Sequence, residues 1–336
     1  MIRRFRHEVL DGEIAGVEFG DPLKPVSAVW FHATGFNAMT YQSILAPLGL
    51  RARVMAIDLR GHGLTTLSAA PRKLKTWKRF RDDVIAWMLD HLPTHDVNGE
   101  QKPRGVVLGG HSMGGCVSLL VAGERPDLVK GLVLADPVIL SPRLYRMNHI
   151  APFLNAMTTN GSAMVKQAKR RRPNFPSAEI ARSKYKGRGA FTTWRDPFLD
   201  DYLLDGLSRT DGGTDKDDAE QQWSLTCTPD WEAATFGAQR NRPWAALRSV
   251  RDSRIPLTIL RAETGSVMSD ATVRRLVKLN PMSVVKTCRG STHFLPMEAP
   301  YEVRDTLSSY ISRLVEGFSA GEEGSVRRML DTGERG

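Results

Sequence analysis

The 336-residue sequence has only three cysteines, Cys116, Cys227 and Cys288, far apart and with neither a C-x-x-C pair nor zinc-ligand spacing. A disulfide framework and a clustered thiolate metal site are thereby excluded as organising devices, and the three are expected to be reduced, structural thiols. Long apolar runs are missing too. The nearest, interrupted run, 131–140, falls well short of the roughly 18 residues that span a bilayer, so no membrane insertion is expected. Internal repeats and low-complexity tracts are also absent. Arg3, Arg4 and Arg6 are followed by a mostly polar stretch, 7–13, where a secretory leader would be apolar, and the chain is expected in the cytoplasm.

Charge is the one compositional excess: 47 basic against 37 acidic residues give a net +10, concentrated at 3–6, 73–81 and 169–172. Such charge attracts nucleic acid, anionic lipid or acidic substrates. No nucleic-acid motif accompanies it, so the reading is a solvated basic surface with no nucleic-acid partner.

Short apolar runs at 28–31, 54–57, 106–108, 132–135, 257–260 and 283–285 read as strands buried on both faces. Between and after them, Trp77, Phe80, Val84, Ile85, Met88 and Leu92 recur at three- and four-residue steps, as do Val303, Leu307, Tyr310, Ile311, Leu314 and Phe318, each giving a helix one apolar stripe. Strands alternating with helices predict an α/β fold, a mostly parallel sheet covered on both faces. The alternation stops over 139–243, a stretch rich in Arg, Asp, Gly and Pro with scattered aromatics, which reads as an inserted, largely helical cap. The expected organisation is a core of 1–138 and 244–318, the cap at 139–243, and a Gly- and charge-rich flexible tail at 319–336.

One motif carries chemistry. Gly110-His111-Ser112-Met113-Gly114 follows directly on the run 106–108 and precedes a helical stretch. A serine hydroxyl is a poor nucleophile until it is held clear of the sheet beside a base and amide donors, and small residues on both sides allow the sharp strand-to-helix turn that does this. His111 lies on the wrong side of that turn to be the base and reads as packing.

Three further segments join this elbow: His32-Ala33-Thr34-Gly35-Phe36-Asn37, Asp58-Leu59-Arg60-Gly61-His62-Gly63 and Gly290-Ser291-Thr292-His293-Phe294, each following a strand. Together they resemble the α/β-hydrolase family over roughly 10–138 and 244–316, which implies an eight-stranded sheet and a serine hydrolase with Ser112 as nucleophile. The resemblance places the oxyanion hole at the backbone amides of Thr34 and Met113, although Ala33 stands where the family commonly has glycine. It places the base at His293; His32 and His62 read as loop-structuring residues.

The acid departs from the family pattern. Where a Gly-x-x-Asp context is expected after the seventh strand, the sequence reads Glu263-Thr264-Gly265-Ser266, with glycine at the aspartate position. Two carboxylates remain: Asp136, just after the sixth strand, and Glu263, whose longer side chain starts two residues before the vacant position. Asp136 is the preferred reading, with Glu263 the alternative. Either would hold the imidazole in the right tautomer and stabilise its cation.

With serine at the elbow, the chemistries of this fold that use a carboxylate nucleophile are disfavoured, and acyl transfer to water remains. The expected partner is a small-molecule ester or lactone, and the mechanism calls for no organic cofactor and no metal. Two other readings stay open: a C–C bond hydrolase of a vinylogous diketone, and a catalytically silent ligand receptor. A homo-oligomer is compatible with the sequence.

Overall fold

The computed structural model describes residues 2–92, 105–150, 160–210 and 222–315. The tail expected at 319–336, and Phe318 of the last apolar stripe, lie outside them.

Along the chain run β1 (Ile2–Val9), β2 (Gly12–Phe19), β3 (Val26–Phe31), β4 (Arg53–Ile57), helix α1 (Lys78–His91), β5 (Val106–His111), α2 (Met113–Glu124) and β6 (Val129–Ala135). The segment that follows holds α3 (Pro142–Ile150), α4 (Asn160–Lys169), β7 (Asn174–Phe175), α5 (Ala178–Tyr185), α6 (Phe198–Gly206), β8 (Leu207–Thr210), β9 (Gln222–Leu225) and α7 (Pro229–Gly237). Then come α8 (Pro243–Asp252), β10 (Leu257–Ala262), α9 (Asp270–Leu279), β11 (Val284–Cys288) and α10 (Pro300–Val315).

Eight strands form one sheet in the order β1-β2-β4-β3-β5-β6-β10-β11. From β4 to β11 every neighbouring pair is parallel; β2 is antiparallel to both its neighbours. The hairpin of β1 and β2 escapes a search for apolar runs because β1 is an edge strand that buries only Phe5 and Val9 and turns its arginines to water.

Two apolar clusters cover the two faces. One gathers Phe80, Val84, Trp87 and Met88 of α1, Val117, Leu120 and Val121 of α2, and Leu247 and Val250 of α8. The other gathers Val303, Leu307, Tyr310 and Ile311 of α10 with Tyr41, Ile44 and Leu45 after β3. Each fully buried aliphatic or phenyl side chain here contributes on the order of 1.5–3 kcal/mol. The segment between β6 and α8 contains, besides its helices, an antiparallel three-stranded sheet in the order β7-β9-β8. Its strands are only two to four residues long, too short for a period of two to register in the sequence. Among the described residues no helix is long and apolar enough to cross a membrane.

Candidate active site

The carboxyl ends of β5 and β6 meet the turn after β11 at one point. β5 ends at His111 and α2 begins at Met113, so Ser112 alone makes the corner, with φ 55° and ψ −113°. That left-handed backbone is unfavourable for a residue with a Cβ and persists only where its surroundings enforce it. Here they do: Ser112 N–H donates to Ala135 O at 2.9 Å, and Ser112 O accepts from Cys116 N–H at 3.2 Å and Val138 N–H at 3.0 Å. The flanking glycines are required by space. A Cβ on Gly110 would stand 2.4 Å from the Gly114 carbonyl carbon, and one on Gly114 would stand 2.1 Å from Phe31 O.

His293 faces this corner from the turn after β11. Its Nε2 lies 2.9 Å from Ser112 Oγ and its Nδ1 lies 2.6 Å from Asp136 Oδ2. Asp136, with φ 38° just past β6, is fully buried and also accepts from Ala262 N–H at 3.2 Å, Ser266 Oγ at 2.5 Å and Val267 N–H at 3.1 Å. Burial alone would raise its pKa; the hydrogen bond and charge of His293, then the bonds from Ser266 and Val267, hold it below the ordinary carboxylate value. Glu263 is elsewhere: its Oε2 accepts the Gly290 amide at 2.8 Å. The stretch after β10 that has glycine at 265 therefore supplies donors to a carboxylate on the neighbouring strand end.

Thr34 and Met113 are brought side by side, the Thr34 hydroxyl donating to Met113 Sδ at 3.4 Å. Met113 N–H is the first of helix α2, a position with no partner inside the helix. The loop that carries Thr34 is pinned by His32, whose Nε2 accepts Leu59 N–H at 2.9 Å, and by Tyr41 Oη, which accepts Ala33 N–H at 3.1 Å. Asp58 accepts Ala38 N–H at 2.7 Å and Leu64 N–H at 2.9 Å. The three cysteines are buried thiols, and burial pushes Cys288 up to about 11.

Two contributors carry no signal of their role in sequence. His111, read there as packing, is hydrogen bonded on both ring nitrogens, to Tyr41 Oη at 2.9 Å and to His293 O at 2.7 Å. Glu298 shapes the turn that presents His293 by accepting Thr292 N–H at 2.5 Å and Thr292 Oγ1 at 2.6 Å. A glutamate six residues past the bonded threonine matches no local capping pattern.

A strand-to-helix corner at Ser112, with residues from two further strand ends facing it across a mostly parallel eight-stranded sheet, defines a protein class. The profile of the Alpha/beta hydrolase family matches residues 28–306, and the chain belongs to that family. Among individual proteins it is similar to the monoglyceride lipase of Mus musculus, 32% identical over 134 residues, which is 39% of this chain and 42% of the lipase. It is also similar to the 2-(acetamidomethylene)succinate hydrolase of Mesorhizobium japonicum, 23% identical over 290 residues, 84% of this chain and 87% of that protein. The solved structure of an E-2-(acetamidomethylene)succinate hydrolase shares the fold, with a TM-score of 0.71 at 18% identity over 93% of this chain and 100% of the other.

Proposed function

We propose that the protein is a serine hydrolase that cleaves a carboxylic ester or lactone through an acyl-enzyme on Ser112. The observation that carries this reading is the pair of contacts on one imidazole, 2.9 Å to Ser112 Oγ and 2.6 Å to Asp136 Oδ2. His293 Nε2 takes the Ser112 proton as Oγ attacks the carbonyl carbon, and Asp136 holds the Nδ1–H tautomer and stabilises the imidazolium. The amides of Thr34 and Met113 receive the negative oxygen of the tetrahedral intermediate, worth several kcal/mol of barrier. The imidazolium then protonates the departing alkoxide, and water activated by the same imidazole releases the acid.

Residues 1–138 and 244–318 serve as the catalytic core in this reading, and 139–243 as a cap that selects the substrate. The relatives support ester chemistry through the lipase and keep a succinate-derived substrate in view through the longer match. A panel of p-nitrophenyl esters, lactones, 2-(acetamidomethylene)succinate and a ring-fission dienone, run with Ser112→Ala as the blank, tests the proposal. Ester or lactone turnover that the blank lacks, with fluorophosphonate labelling at Ser112, is expected. Turnover of the dienone alone would move the protein to C–C hydrolysis, and no labelling would leave a ligand receptor.

A further inference from the structure

The loop that carries Thr34 is not held by the core alone. Gly35 has φ +78°, and a Cβ there would stand 2.6 Å from Glu232 Oε1 and 2.9 Å from its Cδ, so the Glu232 carboxyl group occupies the room a side chain would need. Glu232 sits on α7 and is buried. Its Oε2 is 2.5 Å from Arg171 Nη1, and Arg171 Nη2 donates to Tyr185 Oη at 3.1 Å and Tyr202 Oη at 3.0 Å. The guanidinium also lies over the Tyr185 ring, 5.6 Å from its centroid. One cation just past α4 therefore gathers α5, α6 and α7. The next two loop residues lean on the same assembly: Phe36 packs edge-on to Trp194 and Tyr202, and Asn37 Nδ2 donates to Tyr202 O at 2.9 Å.

We infer that Glu232, fixed by Arg171, is a positioning residue for the oxyanion donor at Thr34, so that the segment between β6 and α8 sets the rate of acyl transfer as well as admitting substrate. This rests on the Ser112 acyl-enzyme reading. The argument is geometric. The Thr34 N–H lies in the Ala33–Thr34 peptide, one residue before Gly35; a carboxyl group wedged against Gly35 restricts the backbone rotations at Thr34 and Gly35 through which that peptide would tilt, while Tyr41 holds the Ala33 N–H on its other side. Displacement of such a donor by an ångström is enough to lower a rate by about a hundredfold. A buried carboxylate stays in place only while its counter-ion does, and Arg171 is itself anchored by two phenols.

The test uses the full-length protein and a graded series: Tyr185→Phe, Arg171→Lys and Glu232→Gln. Active sites are counted by fluorophosphonate labelling of Ser112, so that kcat/KM for p-nitrophenyl acetate is expressed per competent site. Affinity for phenylboronic acid is measured in parallel; in its adduct Ser112 Oγ bonds to boron, the serine proton passes to His293, and a boron-bound oxygen occupies the oxyanion position. The expected losses are about twofold to fivefold for Tyr185→Phe, which removes one hydrogen bond, and about tenfold to a hundredfold for Glu232→Gln. Boronate affinity falls in step with kcat/KM.

Unchanged kcat/KM per labelled site overturns the inference, because a purely structural role lowers only the number of sites. Loss of kcat/KM with boronate affinity intact also overturns it, placing the effect on substrate contacts. Should Glu232→Gln not fold, the two milder variants decide. Wild-type protein that neither hydrolyses the ester nor labels at Ser112 would remove the acyl-enzyme reading itself.

Discussion

His111 Nε2 stands 2.7 Å from the backbone oxygen of His293. A carbonyl only accepts, so Nε2 carries the hydrogen, Nδ1 accepts from Tyr41 Oη, and Tyr41 Oη accepts from Ala33 N–H. One buried polar chain thus ties the Thr34 loop, the nucleophile corner and the turn bearing His293. Burial, and then the neighbouring His293, lower the His111 pKa to about 3, which keeps the ring in the neutral form this chain needs. His111→Phe fills the space but frees the His293 turn, and kcat should fall by about tenfold or more with little change in KM. Steady-state kinetics on the best ester checks this; a rise in KM at constant kcat would mean that the ring serves substrate binding instead.

The two candidate acids make opposite predictions. Asp136→Asn presents an amide to His293 Nδ1 and favours the wrong tautomer, so kcat should drop by about four orders of magnitude. Glu263→Gln keeps an oxygen for the Gly290 amide and should alter kcat by less than about threefold. The reverse ranking, measured on the same substrate, would reassign the acid.

That the acid needed choosing at all reflects what a sequence encodes locally. The elbow was legible because Gly110 and Gly114 answer a crowding that recurs wherever a strand turns into a helix at one residue. The core strands were legible as short apolar runs. The partner of His293 was legible only as a choice between Asp136 and Glu263, since Asp136 is 157 residues away and its other donors, Ala262, Ser266 and Val267, are ordinary residue types in an ordinary loop. The hairpin of β1 and β2 and the small sheet of β7, β8 and β9 were hidden for a different reason: one is an edge, the other too short for its pattern to repeat.

Crowding also yields a stability prediction. Gly114→Ala forces a methyl group toward Phe31 O and His32 O, backbone atoms that cannot swing aside. Folding stability should fall by at least ~3 kcal/mol, the upper range for overpacking. Denaturant unfolding measures it, and a loss under about 1 kcal/mol would show that the β3–α2 contact is softer than drawn.

Four histidines make the fold acid-sensitive, among them His32, which burial holds well below 6.5. Burial, the leading cause in each case, lowers His62 and His7 to about 4 and His111 to about 3, from 6.5. As pH falls from 6.5 toward 4 the unfolded chain takes up protons that the folded chain refuses, so stability declines through that window. Asp58 opposes this: burial raises it to about 7, and the folded state gains stability as pH falls from 7 toward 3.8. Burial also raises Asp201 and Glu232, but the four histidines outnumber these three carboxyl groups, and the melting temperature should drop on acidification below 6.5. His62→Phe, placed beside Phe80, should flatten that decline. An unaltered slope in thermal melts across the window would refute the assignment.

The backbone bonds from Ser112 N–H to Ala135 O and from Val138 N–H to Ser112 O join the nucleophile's corner to the turn that bears Asp136. With the acid past β6 rather than past β10, two members of the site lie 24 residues apart on adjoining strands, and only His293 is recruited from a distant part of the chain. In folding terms Ser112 and Asp136, the nucleophile and acid of the proposed mechanism, lie close in sequence on one β5-α2-β6 unit, an arrangement of low contact order. In the proposed mechanism, local pairing thus fixes the backbone that carries Ser112, while its hydroxyl gains its base only from the far end of the chain, where the turn after β11 brings His293 within 2.9 Å.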